Sequence, residues 1–471
     1  MFLIEKISNI KRIYYKIILI LSFIISWASI GTNYTHLFIF TSNEGVSLIE
    51  VVNFIRITAN LFFFPILCIM FFTNMSKYKE NNINPYLAFL IPLLCLLSQI
   101  PGLFYTANSL WNFLYILSAI NILIILNLII LNFENDEIYF VIFLTFILLA
   151  IVFFFVFKQD LIKYFTSGHL FYGRVNHLFS DIEIRSSGTS RIALVLLIIY
   201  SIFTIRFVRS KFLLIAPLII FTASIILYQS RTNIGLLIIF IILNYLIREK
   251  KTLVAFFKYL LIYFVMPIML VFLLISLQKD RYELTKINGK FERKLIIKKD
   301  TLQKTNDEKK SEKIVNLFNY KFMIQYDIGV IKKKMRFFKV GQIKNSSGRI
   351  EDWKQIFNNF DYNKNLIFGY GAQGDRYLIN QTASNGLVYT FASSGIVGLI
   401  FFLTLTLASG IQVLKYLFFN KKKVLIHYFS FFIMVIFLIR SLAETSYSLF
   451  GIDLILFYTA LVFMQRNKNL E

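Results

Sequence analysis

Three arginines stand where an apolar run begins. In "GTSRIALVLLIIY" a Ser-Arg pair puts Arg191 at the head of such a run, and in "YQSRTNIGLLIIF" a second pair does the same for Arg231. "SSGRIEDWKQIFNNF" places Arg349 behind Ser346, Ser347 and Gly348, any of which can cap a helix. Ile350, Trp353, Phe357 and Phe360 then recur at helical spacing and are expected to face the membrane or the loop core. A cation in a helix's first turn is disfavoured by the dipole. It gains when an anion shares the place, because free backbone N–H groups point there too. Guanidinium forks match phosphate oxygens. The chemistry implied is the grip on a phosphate, or its stabilisation as a leaving group. The plain alternatives are a surface arginine at 349 and snorkelling at 191 and 231.

Other residues cluster near these. "LIFGYGAQGDRYLINQTASNGLVYTFASSGIVGLI" brings Gly369, Gly371 and Gly374, then Asp375 and Arg376, then Asn385 before a further apolar run. No strand–helix nucleotide unit surrounds the glycines, and a tight re-entrant turn explains them equally. "RVNHLFSDIEIRSSGTSR" adds Arg174, His177, Asp181, Glu183 and Arg185, with His177 reading better as structural than as catalytic. In "LIRSLAETSYSLFGIDLILF" Arg440 and Glu444 are one helical turn apart and are expected to pair. Arg56 and Asp453 are weaker candidates, each near the end of an apolar run. A general base is sought among Asp375, Glu444 and His177, in that order. Arg376, Asn385, Arg185 and Arg440 are further candidates for substrate contact.

The elements that must position these residues are membrane helices. The 471 residues are 57% hydrophobic and 16% charged, against about 25% charged in soluble domains. Apolar runs of bilayer-spanning length recur along the chain. The fold class is all-α, a polytopic bundle of about twelve spans near 14–32, 52–74, 86–104, 109–132, 137–157, 191–208, 212–229, 231–247, 253–277, 386–418, 424–443 and 449–465. The tenth run is too long for one straight span and is expected to include a helical approach segment. Lys6, Lys11, Arg12 and Lys16 precede the first run as in a signal peptide, but further spans follow at once and an uncleaved span is expected. Cys68 and Cys95 lie inside apolar runs and read as buried thiols. Four histidines without a Cys/His cluster argue against a structural zinc site.

The formal charge of +24 divides between two sides of a membrane, which removes it as a sign of a nucleic-acid partner. "RFVRSK", "REKKT", "NKKK" and the tail "RNKNLE" are basic, whereas "FYTANS" and "YQS" are not. The positive-inside rule makes the basic set and both termini cytoplasmic, with residues 158–190 and 278–385 outside. Four regions follow: 1–190 with the first outer loop, 191–277, the large loop 278–385, and 386–471. From Lys279 to Asn385 there are 23 Lys/Arg against 12 Asp/Glu and no proline. This loop is expected to be partly helical. Its charge suits either an anionic lipid surface or a funnel for anionic substrates. A diphosphate on a long lipid fits the pattern, its head in the basic outer mouth and its tail between spans.

The order of these motifs, two Ser-Arg span openings, a large loop with "GR…W", then "FGYGAQG" and "SNGLVYTFASSGIVGL", resembles the bacterial O-antigen polymerase and O-antigen ligase superfamily over roughly residues 170–465. The resemblance implies a glycosyltransferase in the inner membrane that uses undecaprenyl-diphosphate-linked sugars at the outer face. It implies no metal, no nucleotide sugar and no cofactor, arginines supporting the diphosphate (Arg191, Arg231 and Arg349 here), and a chain-length regulator as a possible partner. Ligases of this kind carry a His-Asn pair before the span after the large loop. Ser384-Asn385 stands there in this chain, and serine is a far poorer base than imidazole. That favours a polymerase, with a ligase as the alternative. A lipid-linked sugar flippase is the rival from another class, though it would want charges through the bundle and short loops on both sides.

Overall fold

The computed structural model describes residues 2–29, 58–105, 109–167, 186–207, 210–228, 230–247, 253–279, 282–287, 290–295, 349–379, 382–419, 424–448 and 451–466. His177, Arg185, Arg174, Asp181, Glu183, Arg56 and the capping candidates Ser346, Ser347 and Gly348 lie outside the described residues.

The described chain is a bundle of helices: α1 (Phe2–Ala28), α2 (Phe64–Thr73), α3 (Ile91–Leu97, continuing a wider turn at Tyr86–Leu90), α4 (Ser109–Asn132), α5 (Asn135–Ser167), α6 (Ser186–Phe207), α7 (Lys211–Leu227), α8 (Arg231–Ile247), α9 (Leu253–Leu260), α10 (Met266–Lys279), α11 (Arg349–Asn359), α12 (Gly374–Ile379), α13 (Gly386–Phe419), α14 (Leu425–Ser441) and α15 (Ile452–Met464). Five stretches are long and apolar enough to cross a membrane: Tyr86–Phe104, Asn112–Asn132, Asn135–Ile162, Phe257–Leu274 and Gly386–Phe418. The other apolar runs appear as helices of 10–17 residues. Within the large loop the described residues include an antiparallel hairpin, β1 (Tyr282–Ile287) with β2 (Lys290–Leu295), Tyr282 opposite Leu295. The same loop holds α11 and α12, so among the described residues it is partly helical, with the strand pair besides.

Hydropathy alone does not say which helices are central, because every face is greasy; burial does. Along α4 nearly every residue from Ile116 to Leu131 is buried, and α15 is buried from Asp453 to Phe463. These two pack on each other, and α14 packs on α15, α6 and α13. By contrast α5, α10 and α13 expose Phe143, Ile151, Phe272, Leu407 and Phe418. Such apolar outer faces suit hydrocarbon, not water. Amide side chains clamp the inner helices: Asn121 donates to the Asn60 carbonyl at 2.7 Å, and Asn127 accepts from the Tyr78 hydroxyl at 2.7 Å.

The glycine-rich segment plugs a break in a helix. Helix α13 breaks at Gly395, whose φ of 61° and ψ of −154° only glycine tolerates well. A helix break orphans backbone groups, which apolar surroundings cannot satisfy. Here residues 366–371 satisfy them. Tyr370 and Gly371 donate N–H groups to Ala392 and Ser393 carbonyls at 2.9 and 2.8 Å, and Ile396 and Val397 donate to Leu366 and Ile367 at 2.9 and 3.2 Å. The expected approach segment of the tenth span is thus the half-helix before Gly395. Gly102 completes the crossing, since a Cβ there would sit 2.2 Å from the Gly371 nitrogen.

A methyl at position 395 would lie 2.4 Å from the Ile367 backbone, whereas one at Gly410, in the same helix, meets nothing within 4 Å. Gly395→Ala should therefore lose about 1–3 kcal/mol from its dihedrals alone, with the clash added. Gly410→Ala should be neutral or gain up to about 1 kcal/mol. Thermal unfolding in detergent checks the contrast, and equal melting temperatures for the two variants would refute the plug.

Candidate functional site

Buried charge gathers at one end of the bundle, where α6, α14 and α15 meet. Arg440 lies in the last turn of α14 and Asp453 in the first turn of α15, each at the helix end that suits its sign. Arg191 reaches Asp453 from α6, Nη1 to Oδ1 at 2.8 Å, and Arg440 Nη1 lies 3.5 Å from Asp453 Oδ2. One carboxylate thus stands between two guanidiniums, with the Arg440 and Asp453 side chains only 4% and 6% exposed. Beside them Arg349 Nη2 meets Glu444 Oε1 at 3.2 Å, and this pair is more open, at 30% and 21%. Arg440 feels the charges of Arg191, Glu444 and Arg349 as well as Asp453, so the two pairs form one cluster. Nε of Arg191, Nε of Arg440 and the hydroxyls of Thr189 and Ser190 are buried donors without a hydrogen-bond acceptor among the described residues. Such groups are costly to leave unpaired, and their arrangement suits an anion with several oxygens.

The structure revises how the sequence pairs these charges. Arg440 and Glu444 are one helical turn apart only if the helix continues. It ends at Ser441, so Glu444 falls in the loop beyond and turns to Arg349, leaving Arg440 to Asp453. Arg191 does not open its helix: α6 starts at Ser186, setting Arg191 in the second turn. Arg349 does open α11, with Glu351 and Asp352 in its first turn. The buried face of that helix is carried by Ile356, whereas Ile350 and Phe357 are exposed. Arg231 opens α8, but its side chain is exposed and has no ion pair in the described cluster. Its helix is tied to the start of α6 by Asn233, which donates to the Ser187 carbonyl at 2.9 Å. Asp453, a minor candidate from sequence, is thus central. Its signal was a lone acid and a lone arginine facing each other across the loop joining two apolar helices.

A polar brace carries Arg349 to Glu444. The Trp353 indole donates to the Ala383 carbonyl at 2.6 Å, and the Ala383 N–H donates to Asp375 Oδ2 at 2.7 Å. Asp375 Oδ1 accepts the Arg376 N–H at 2.9 Å. Asn385 caps α13, accepting from Leu387 and Val388 at 2.9 and 3.1 Å, while its amide donates to the Leu442 carbonyl at 2.9 Å. The chain beside Glu444 is thereby fixed to the end of the loop that carries Arg349. Arg376 donates to the Gln373 side chain at 2.9 Å. In this structure Asp375 and Asn385 hold backbone in place. Asp375 is 1% exposed, and each of its oxygens accepts a backbone N–H.

Burial pushes the Asp375 carboxyl up to about 6, against the opposing pull of the Ala383 N–H and Arg376. The unfolded carboxyl ionises near pH 4. Between those values the folded chain binds more protons than the unfolded one, so stability falls as pH rises from about 4 to about 6 and is flat above. The loss is bounded by about 3 kcal/mol. Melting curves in detergent at pH 4.5 and 6.5 should show the fall for the native chain. Asp375→Asn should abolish the difference, and an unchanged slope in that variant would place the titration elsewhere.

Residues 216–403 match the family model described as O-antigen ligase (Wzy_C), a stretch that holds Arg231, Arg349, the brace and the plug. No curated protein and no solved structure matches the chain. Arg191, Arg440, Glu444 and Asp453 flank the matched stretch and meet it in space through the contact of Arg349 with Glu444. The match supports a place for this chain in the superfamily of O-antigen ligases and polymerases, glycosyltransferase-like membrane enzymes that act on lipid-linked glycans.

Proposed function

We propose that the protein polymerises polyprenyl-diphosphate-linked oligosaccharide units at the outer face of a bacterial inner membrane, with twelve spans, cytoplasmic termini and the 278–385 loop outside. The observation that carries this is the meeting of Arg191, Arg349 and Arg440, from α6, α11 and α14, around two carboxylates among the described residues.

In this reading the donor's diphosphate takes Arg349 from Glu444, the weaker-held and more exposed of the two carboxylates. Asp453 stays in place and keeps Arg191 and Arg440 aimed. The hydroxyl oxygen of the acceptor sugar attacks the anomeric carbon of the donor glycan. The bond from that carbon to the phosphate oxygen breaks, and its electron pair leaves with the polyprenyl diphosphate. The hydroxyl proton passes to Glu444, freed by the same event. Fixed guanidiniums stabilise the charge that grows on the leaving phosphate without having to reorganise. Serine at position 384, where related ligases carry histidine, favours the polymerase over the ligase. The confinement of the cluster to one end of the bundle favours an enzyme over a flippase.

Arg349→Ala should lower kcat/KM for a lipid-linked oligosaccharide by about 10²–10³-fold, the loss typical of one preorganised donor. Glu444→Gln should cut kcat while leaving donor binding in place, and should remove the acidic limb of the pH–rate profile. Purified protein with lipid-linked units decides the class. Lengthened glycan on the lipid supports polymerisation, glycan appearing only on added lipid A–core would make it a ligase, and lipid crossing the bilayer without new glycosidic bonds would sink the enzyme.

A further inference from the structure

The chain that joins α4 to α5 and opens α5 reads "ENDE", Glu134 to Glu137, an acidic run at the end of the bundle whose other connections are basic. Asp136 and Glu137 stand in the first turn of α5, where the helix dipole suits them. Glu137 is fully engaged: its Oε2 accepts the Glu134 N–H at 2.8 Å, and its Oε1 pairs with Lys16 of α1. Asp136 is exposed and makes no hydrogen bond or ion pair among the described residues. Between the two helices lies a cavity of about 240 Å³, walled by Ile20, Phe133 and Phe140 and rimmed by Lys16, Asp136 and Glu137. That is just below the size of pockets that bury a whole drug-like molecule, and it is room for a small polar head group. The Lys16 ammonium stands 5.8 Å over the Phe133 ring, at the edge of the cavity. Two neighbouring cations are engaged at the end of α4, Lys77 donating to Asn132 Oδ1 at 2.5 Å and Arg466 to the Phe133 carbonyl at 2.8 Å. From the cavity α1 and α5 both lead into apolar sequence, and each leaves one stripe exposed: Ile17 and Leu21 on α1, Phe140, Phe143 and Ile147 on α5.

We propose that this cleft holds a diacyl phospholipid whose head group carries a primary ammonium. The ammonium donates to Asp136, the phosphate lies beside Lys16, and the two acyl chains follow the two stripes. The inference goes beyond the polymerase reading and does not depend on it. One cation against two carboxylates makes the rim negative, which opposes a lipid of net negative charge. A soluble amine would use Asp136 and leave the stripes uncovered. A quaternary ammonium has the charge but no N–H, and so forfeits the charge-assisted hydrogen bond to the carboxylate.

The full-length protein in detergent is titrated with dioleoyl phosphatidylethanolamine, and with the choline and glycerol head groups on the same chains, bound lipid being counted by native mass spectrometry. The ethanolamine lipid should bind about tenfold more tightly than the choline lipid, as one charge-assisted hydrogen bond is worth. The glycerol lipid should bind more weakly still. Asp136→Asn, at an exposed side chain, should bring the ethanolamine lipid down to the affinity of the choline lipid without changing the melting temperature. Ile20→Trp should fill the cavity and weaken both. A diazirine on an acyl chain of the ethanolamine lipid should label residues 13–24 and 137–147. Equal affinity for the ethanolamine and choline lipids, tighter binding of the glycerol lipid, an undiminished preference in Asp136→Asn, or labelling confined to other helices would each overturn the site.

Discussion

The arrangement depends on one carboxylate. Asp453 lies almost wholly buried between Arg191 and Arg440, and each partner comes from a different helix. Taking an ion out of water costs several kcal/mol, and only good geometry with opposite charges offsets it. Losing Asp453 would leave two buried guanidiniums repelling each other; losing either arginine would unbalance the other two groups. The trio therefore constrains how α6, α14 and α15 meet, and the rest of the site inherits its geometry from that meeting. A buried ion trio is a poor source of net stability compared with apolar packing. Its presence in so greasy a bundle is better explained by what guanidiniums held ready can do at that end.

The second constraint is backbone. A membrane interior offers no water to an interrupted helix, so an interruption survives only where protein supplies the missing partners. Residues 366–371 supply them at Gly395, and the glycines at 102, 369, 371 and 395 let three stretches of backbone come together where side chains would collide. The consequence for the site is positional. With the plug anchored in α13, the chain between α11 and α13 has little freedom. Asp375 and Trp353 then fasten its two ends through one residue, Ala383. Arg349 meets Glu444 because its helix hangs on this frame. In the brace a buried acid serves the backbone, each oxygen of Asp375 accepting an N–H group.

Helical class and apolar runs were legible in the sequence because both rest on local composition, and the location of the arginines at run ends was legible for the same reason. What pairs with what was not. The helical spacing of Arg440 and Glu444 suggests a pair, yet a helix ending at Ser441 turns the two side chains to different partners. Where a helix stops among Ser, Leu, Ala and Glu carries little local signal, since none of them breaks a helix. Likewise Arg191, Arg231 and Arg349 look equivalent as opening arginines, but Arg191 is buried with a partner while Arg231 is exposed. The difference comes from α6 starting earlier, at Ser186, through a run of small residues that pack against α8. The role of "FGYGAQG" was half legible. Glycine spacing announced a tight turn, but its partner, a helix break some 25 residues on, is a long-range fact.

Charge balance gives a reason for the composition of the cluster. Among the described residues three guanidiniums face two carboxylates, which leaves one positive charge that the diphosphate of the proposed donor would more than compensate. Transfer of the glycan leaves one more negative charge on the departing lipid diphosphate than it carried as a sugar ester. If Glu444 takes the acceptor's proton, the protein loses one negative charge at the same moment. The total within the site is then the same before and after the step. In a buried setting, where an uncompensated charge is expensive, a reaction that moves charge without changing its sum has the lower barrier. Asp375 is enclosed and holds two backbone N–H groups, whereas Glu444 is more open and sits against Arg349, the arginine that changes partners in the proposed reaction. In the proposed reaction the more open Arg349–Glu444 pair is the part that opens, and the buried trio stays in place.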